Sequence, residues 1–237
     1  MRIQTDSIIF QLQHENEGSL LIAERLASHM KWKLEILKSI PVRPIKKHKE
    51  LWKKTFGRDI PKSASFIAIL ETSSGIKIIL IKYGNSKFLQ IEFHGLDGLT
   101  KDIYSRSDNA VLLNSTLKEF IKLWNEPVRL MRLDRSVNIA GQKWEDYTNS
   151  RQHRKLCRKR KPELFKTTTI FYQNKKRRYI KVLAYDKQQC NGLDYAVTRI
   201  ECRFLAQYWN NLSGEISNVI DIAIKKADLY IEEKLLY

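Results

Sequence analysis

Cysteine is scarce in this 237-residue sequence, and the three present, Cys157, Cys190 and Cys202, form neither an even set nor a C-x-x-C pair. That excludes a disulfide framework and a cysteine zinc site. No run approaches the roughly 18 apolar residues of a membrane span, and Met1 to Gln13 lack the roughly 7–15-residue apolar stretch of a signal peptide. A cytoplasmic protein with no membrane partner is expected. Internal repeats and low-complexity segments are absent too. Acids are in short supply: 26 Asp+Glu face 43 Lys+Arg, a formal charge of +17. Hydrophobics at 43% and aromatics at 10% nevertheless allow a real core, which excludes a disordered polybasic tail. Charge beyond what solubility requires points to a polyanionic partner, nucleic acid ahead of an anionic membrane.

The charge has an address. Between Arg151 and Lys187 there are fourteen basic residues and two acids, Glu163 and Asp186, so this segment holds +12 of the +17. Arg154, Lys155, Arg158, Lys159, Arg160, Lys175, Lys176, Arg177, Arg178 and Lys181 are the candidate DNA-binding residues, because clustered cations track a phosphate backbone. A smaller basic stretch, Arg43 to Lys54, reads as a connection.

Periodicity predicts strands at Arg2–Gln13, Phe66–Thr72, Ile76–Tyr83, Phe88–His94, Val128–Ile139, Phe165–Tyr172, Tyr179–Lys187 and Tyr195–Phe204. Helices are predicted from about Gly18 to Met30, from Thr116 with Glu119 at capping-box spacing to about Asn125, and over Trp144 to about Arg151. One amphipathic helix from Ser213 to Leu235 closes the chain. The order gives an α+β fold around a central antiparallel sheet. It is expected as a single domain, 1–237, with an N-terminal subregion 1–60, a catalytic region 65–205 and a C-terminal helix 209–237.

Strand side chains two apart share a face. Glu92 and His94 therefore pair, as an acid and an imidazole suited to one divalent metal. Asp134 lies among cations in Arg132-Leu133-Asp134-Arg135. Glu201 shares a face with Arg199 and Arg203, while Ile200 and Cys202 face the core. Tyr185 and Lys187 share a face, and Tyr179, six residues earlier, shares it nominally. Each of these has a plain structural explanation when taken singly; together they suit a phosphodiester.

The ordered blocks FLQIEFHGLDG (88–98), RLDRSVN (132–138), TTTIFYQNKKRRYIKVLAYDK (167–187) and TRIECRF (198–204) resemble the rolling-circle replication initiators of filamentous phages, the gene II protein family, and the related plasmid replication initiation factors. The blocks cover about half of the chain. The His-hydrophobe-His metal motif of related nickases is absent, and Glu92-Phe93-His94 is its nearest equivalent. The resemblance implies an HUH-endonuclease-like fold and a metal-dependent DNA nicking and strand-transfer endonuclease. It makes Tyr185 the nucleophile, Lys187 its helper, and Glu92, His94, Asp134 and Glu201 the ligands of Mg²⁺ or Mn²⁺. It also implies a phage or plasmid protein in a bacterial host. Its partners would be origin DNA, single-stranded or extruded as a hairpin, and a host helicase and polymerase, with a homodimer allowed. Two alternatives stay open: a non-catalytic nucleic-acid-binding protein, and a metal nuclease in which water attacks.

Overall fold

Ile8, Phe10 and Leu12 alternate along the first strand, and their burial fixes one face of a large sheet. The computed structural model describes residues 3–12, 18–39, 46–56, 59–73, 75–84, 88–96, 108–160, 163–166, 168–172 and 179–236. The strands are β1 (Ile3–Leu12), β2 (Lys33–Ser39), β3 (Ala64–Glu71), β4 (Lys77–Tyr83), β5 (Leu89–His94), β6 (Val128–Ala140), β7 (Glu163–Phe165), β8 (Thr168–Tyr172), β9 (Ile180–Asp186), β10 (Val197–Leu205) and the short β11 (Ser213–Gly214). They form one sheet in the order β2-β3-β4-β5-β1-β6-β10-β9-β8-β7, with β11 added on β6. Every pairing is antiparallel. The fold is α+β, as expected.

One face carries the main core. Helices α1 (Ser19–Met30), α3 (Asp108–Leu123) and α7 (Ile216–Ile231), together with α4 (Trp144–Thr148) and α5 (Arg151–Arg160), contribute their buried residues to it. Phe120 of α3 is its hub, with ring centroids 5.6 Å from Phe93, 6.4 Å from Phe10 and 5.8 Å from Trp124. Each such fully buried side chain contributes about 1.5–3 kcal/mol by leaving water. The C-terminal helix is anchored to the sheet by charge as well: Arg135 of β6 donates to Asp228 of α7 at 2.7 and 2.8 Å.

The other face is divided. At the β2–β4 end, Leu37, Ala64, Ile67, Ile69, Ile79 and Ile81 pack around Trp52 of α2 (Lys46–Phe56), which is fully buried. From β5 across to β9 that same face is polar, with Ser7, Glu92, Asp134, Ser136, Arg199 and Glu201 all buried. This is the ground on which a site can be built.

Several elements differ from the sequence expectation. The helix expected from Thr116 begins two turns earlier at Asp108; Thr116 lies inside it and returns its hydroxyl to the Leu112 carbonyl at 2.9 Å instead of capping. The Arg151–Arg160 run, to which no element is assigned from sequence, is a helix started by Ser150, whose hydroxyl accepts from the His153 amide at 3.1 Å. The basic Arg43–Lys54 stretch contributes α2, and β2 precedes it. The Phe165–Tyr172 strand is instead the two-stranded hairpin β7–β8. Lys187 does not continue β9: Asp186 caps a short helix, α6 (Lys187–Asn191), by accepting from the Gln189 amide at 3.0 Å.

Candidate active site

Directly opposed residues of antiparallel strands share a face, so register gives the layout of the polar surface. Tyr185 of β9 stands opposite Arg199 of β10, Glu201 of β10 opposite Ser136 of β6, Arg203 opposite Asp134, and Asp134 opposite Ser7 of β1. Ile200, Cys202 and Phe204 point the other way into the main core, which leaves Arg199, Glu201 and Arg203 together on the polar side.

Three carboxylates meet there. Asp6, Asp134 and Glu201 offer oxygens that all lie within 4.8 Å of one another. Asp134 and Glu201 are buried and Asp6 is half-buried. Asp6 reaches the cluster through an irregularity: the β1–β6 register shifts between Thr5 and Ser7, leaving Asp6 between the paired residues. Its carbonyl is held by the amides of Gly95 and Leu96 at 2.9 and 2.8 Å. That turn needs Gly95, at φ 81°, since most side chains are strained there.

Each acid has a guanidinium. Arg132 Nε donates to Asp134 Oδ1 at 2.7 Å, and its Nη2 holds the other oxygen. Arg203 Nε donates to Glu201 Oε1 at 2.6 Å. Arg199, with no exposed surface, lies 3.4 Å from Asp6 Oδ1 through Nη1 and donates through Nε to Asn138 Oδ1 at 2.8 Å. Burial pushes the Asp134 carboxyl up to about 6 despite the opposing pull of Arg132. Its negative charge is thus under-compensated, and three hard oxygen donors of this kind fit a divalent cation such as Mg²⁺ or Mn²⁺.

The Tyr185 hydroxyl lies against the same cluster, donating to Glu201 Oε2 at 3.1 Å. Burial first, then the charges of Glu201 and Asp6, push it above the usual phenol range, so the side chain rests protonated. Lys187 is buried, with Nζ 5.9 Å from the centroid of the Tyr185 ring. Desolvation lowers its pKa, while the charges of Asp6 and Glu201 oppose that shift.

The sequence-derived set is only partly gathered. Asp134, Glu201, Tyr185 and Lys187 come together. Glu92 and His94 lie on β5, beyond β1, where His94 Nε2 and Glu92 Oε2 are hydrogen-bonded to each other at 2.8 Å. The cluster of three acids contains neither, and Asp6 takes the position expected of them. Alternation from Ile8 and Phe10 would turn Asp6 toward the core; the register shift reverses it, and no spacing rule signals that shift. Tyr179 packs against the main core and is not beside Tyr185. Among the expected DNA-binding residues, Lys181 stands opposite Arg203 on the polar face. Arg154, Lys155 and Arg158 are exposed on α5, which packs on the other face, so they form no clamp around Tyr185. Lys159 and Arg160 belong to that helix without described side chains, and Lys175, Lys176, Arg177 and Arg178 lie outside the described residues.

No family model matches the chain, and no curated protein matches it. Among solved structures it is similar to a rolling circle replication initiator protein from Geobacillus stearothermophilus. The two are 11% identical over 86% of this chain and 74% of that one, with a TM-score of 0.48. No helix among the described residues is long and apolar enough to cross a membrane.

Proposed function

We propose that the polar face nicks and rejoins one DNA strand at a replication origin, with Tyr185 as nucleophile, in the manner of a rolling-circle initiator. The single observation that carries this reading is the Tyr185–Glu201 hydrogen bond at the edge of a three-carboxylate, three-arginine cluster.

Tyr185 Oη attacks the scissile phosphorus while Glu201, its hydrogen-bond partner, accepts the phenolic proton. The bond from phosphorus to the 3′-oxygen breaks, leaving a 5′-phosphotyrosyl protein and a 3′-hydroxyl that takes its proton from solvent. The 3′-hydroxyl primes synthesis, or attacks the phosphotyrosine in the reverse step and rejoins the strand. Asp6, Asp134 and Glu201 would hold the cation, which supplies polarisation of a non-bridging phosphate oxygen. Arg132 and Arg203, already at the cluster, stabilise the charge that develops on the phosphoryl oxygens. Lys187 supports the forming phenolate, and Lys181 holds the strand at the margin. Glu92 and His94 act from β5 as an orienting pair beside Ser7. The partners this chemistry requires are origin DNA and a host helicase and polymerase.

The test is a labelled single-stranded origin oligonucleotide incubated with Mn²⁺. The wild-type chain gives a denaturation-resistant adduct and Tyr185→Phe gives none. An undiminished adduct in the variant removes Tyr185; a free 5′-phosphate with no adduct identifies water as the nucleophile.

A further inference from the structure

We propose that α5 is a second nucleic-acid surface, which grips the phosphate backbone of duplex DNA on the side of the sheet opposite Tyr185. Arg151, Arg154, Lys155 and Arg158 are all exposed, and their i, i+3, i+4, i+7 spacing places them on one stripe of the helix. They line an open groove of about 470 Å³. The opposite stripe is the packing side: Leu156 enters the main core, and His153 is buried with its Nε2 3.2 Å from Thr169 Oγ1 on β8.

Register decides the side. Thr169 stands opposite Ala184, whose side chain is in the main core, whereas Tyr185 stands opposite Thr168. α5 and the carboxylate cluster are therefore separated by the sheet itself. A strand threaded across the polar face cannot touch α5 at the same point, so the helix contacts a different stretch of the nucleic acid.

Chemistry favours a duplex for that stretch. No acid and no Phe, Tyr or Trp occurs between Arg151 and Arg160, and the His153 ring is buried; gripping of single strands relies on aromatic side chains on which bases stack. What α5 offers is a row of exposed cations over a rise of roughly 10 Å, close to the roughly 12 Å width of a major groove. The helix N-terminus beside Arg151 adds a partial positive charge of the same sense.

The inference rests on the proposed function for what lies on the polar face, though the charged stripe does not depend on it. The test compares the wild type with R151Q/R154Q/K155Q/R158Q and with the charge-preserving R151K/R154K/R158K. Binding of a 30-base-pair duplex is followed by fluorescence anisotropy over a range of salt concentrations. The glutamine variant is expected to lower the slope of log affinity against log salt by roughly 3 to 4, and the lysine variant to keep it. Duplex affinity at fixed salt should fall about tenfold more than adduct yield on a short single strand. Equal slopes in wild type and glutamine variant overturn the proposal. So does an equal loss on duplex and single strand, which would mean one shared surface, or loss of binding only to anionic phosphatidylserine vesicles. If the wild type forms no adduct with any oligonucleotide, the cleavage reading fails while the slopes still decide the duplex surface.

Discussion

The Tyr185 hydroxyl donates to Glu201 Oε2 at 3.1 Å across neighbouring strands, while Arg203 occupies Glu201 Oε1 at 2.6 Å. The carboxylate is shared between a potential nucleophile and a cation. Its two oxygens therefore have separate duties, and the pair can be taken apart by substitution.

Glu201→Gln keeps a hydrogen-bonding oxygen for Tyr185 and removes the base. The expected outcome is a folded protein whose single-turnover adduct formation slows by about 100-fold or more, the usual scale for loss of a positioned base. Quench-flow on a labelled oligonucleotide checks it. A rate within threefold of wild type would leave Glu201 no part in the proton transfer.

Asp6→Asn and Asp134→Asn each take one charge from the cluster while preserving shape. Each is expected to weaken Mn²⁺ binding, read by calorimetry or electron paramagnetic resonance on the protein alone, by at least about tenfold. His94→Ala is expected to weaken it less, since His94 hydrogen-bonds to Glu92 and lies outside the triad.

The raised Asp134 carboxyl gives a pH dependence with a definite sign. An aspartate in the unfolded chain ionises near 3.9, while in the folded chain this one ionises near 6. Below about pH 4 both states hold the proton and there is no penalty. Between about pH 4 and 6 only the unfolded chain releases it, so the folded state loses stability as pH rises, by on the order of 2–3 kcal/mol in all. Urea melts in EDTA should show Asp134→Asn gaining on wild type across that window, and Mn²⁺ should narrow the difference above pH 6. Parallel curves for the two proteins would contradict the assignment.

Trp52 is fully buried in the smaller cluster, so Trp52→Ala is expected to cost about 3–5 kcal/mol. A chemical-denaturation midpoint measures the loss. The Mn²⁺ affinity of the folded variant should stay near wild type, because the acids lie on β1, β6 and β10, whereas Trp52 covers the β2–β4 end.

What the sequence disclosed followed local rules. Alternation in Thr198–Phe204 correctly separates Arg199, Glu201 and Arg203 from Ile200 and Cys202, because β10 is regular along its pairing with β6 and β9. Asp6 escaped because a register shift overrides alternation at that residue. Acid-x-His chemistry and the family resemblance both put Glu92 at the centre, whereas β1 intervenes between its strand and β6. Parity puts Lys187 on the face of Tyr185; it comes near that ring from the first residue of a helix instead. The basic run is one feature in the sequence, yet α5 and β9 direct its cations to opposite sides of the sheet. Charge counting along a chain carries no information about sides.

The pairing of every triad acid with its own guanidinium bears on the order of assembly. Arg132, Arg199 and Arg203 act as built-in partial counter-ions, so the three acids can be brought together while the chain folds, before any metal arrives. A structural zinc domain waits for its ion and unravels in a chelator; this one is expected to stay folded when stripped. On the proposed function, metal would then be a reversible late addition to a scaffold that is already folded, adding stability by mass action without being needed for the fold.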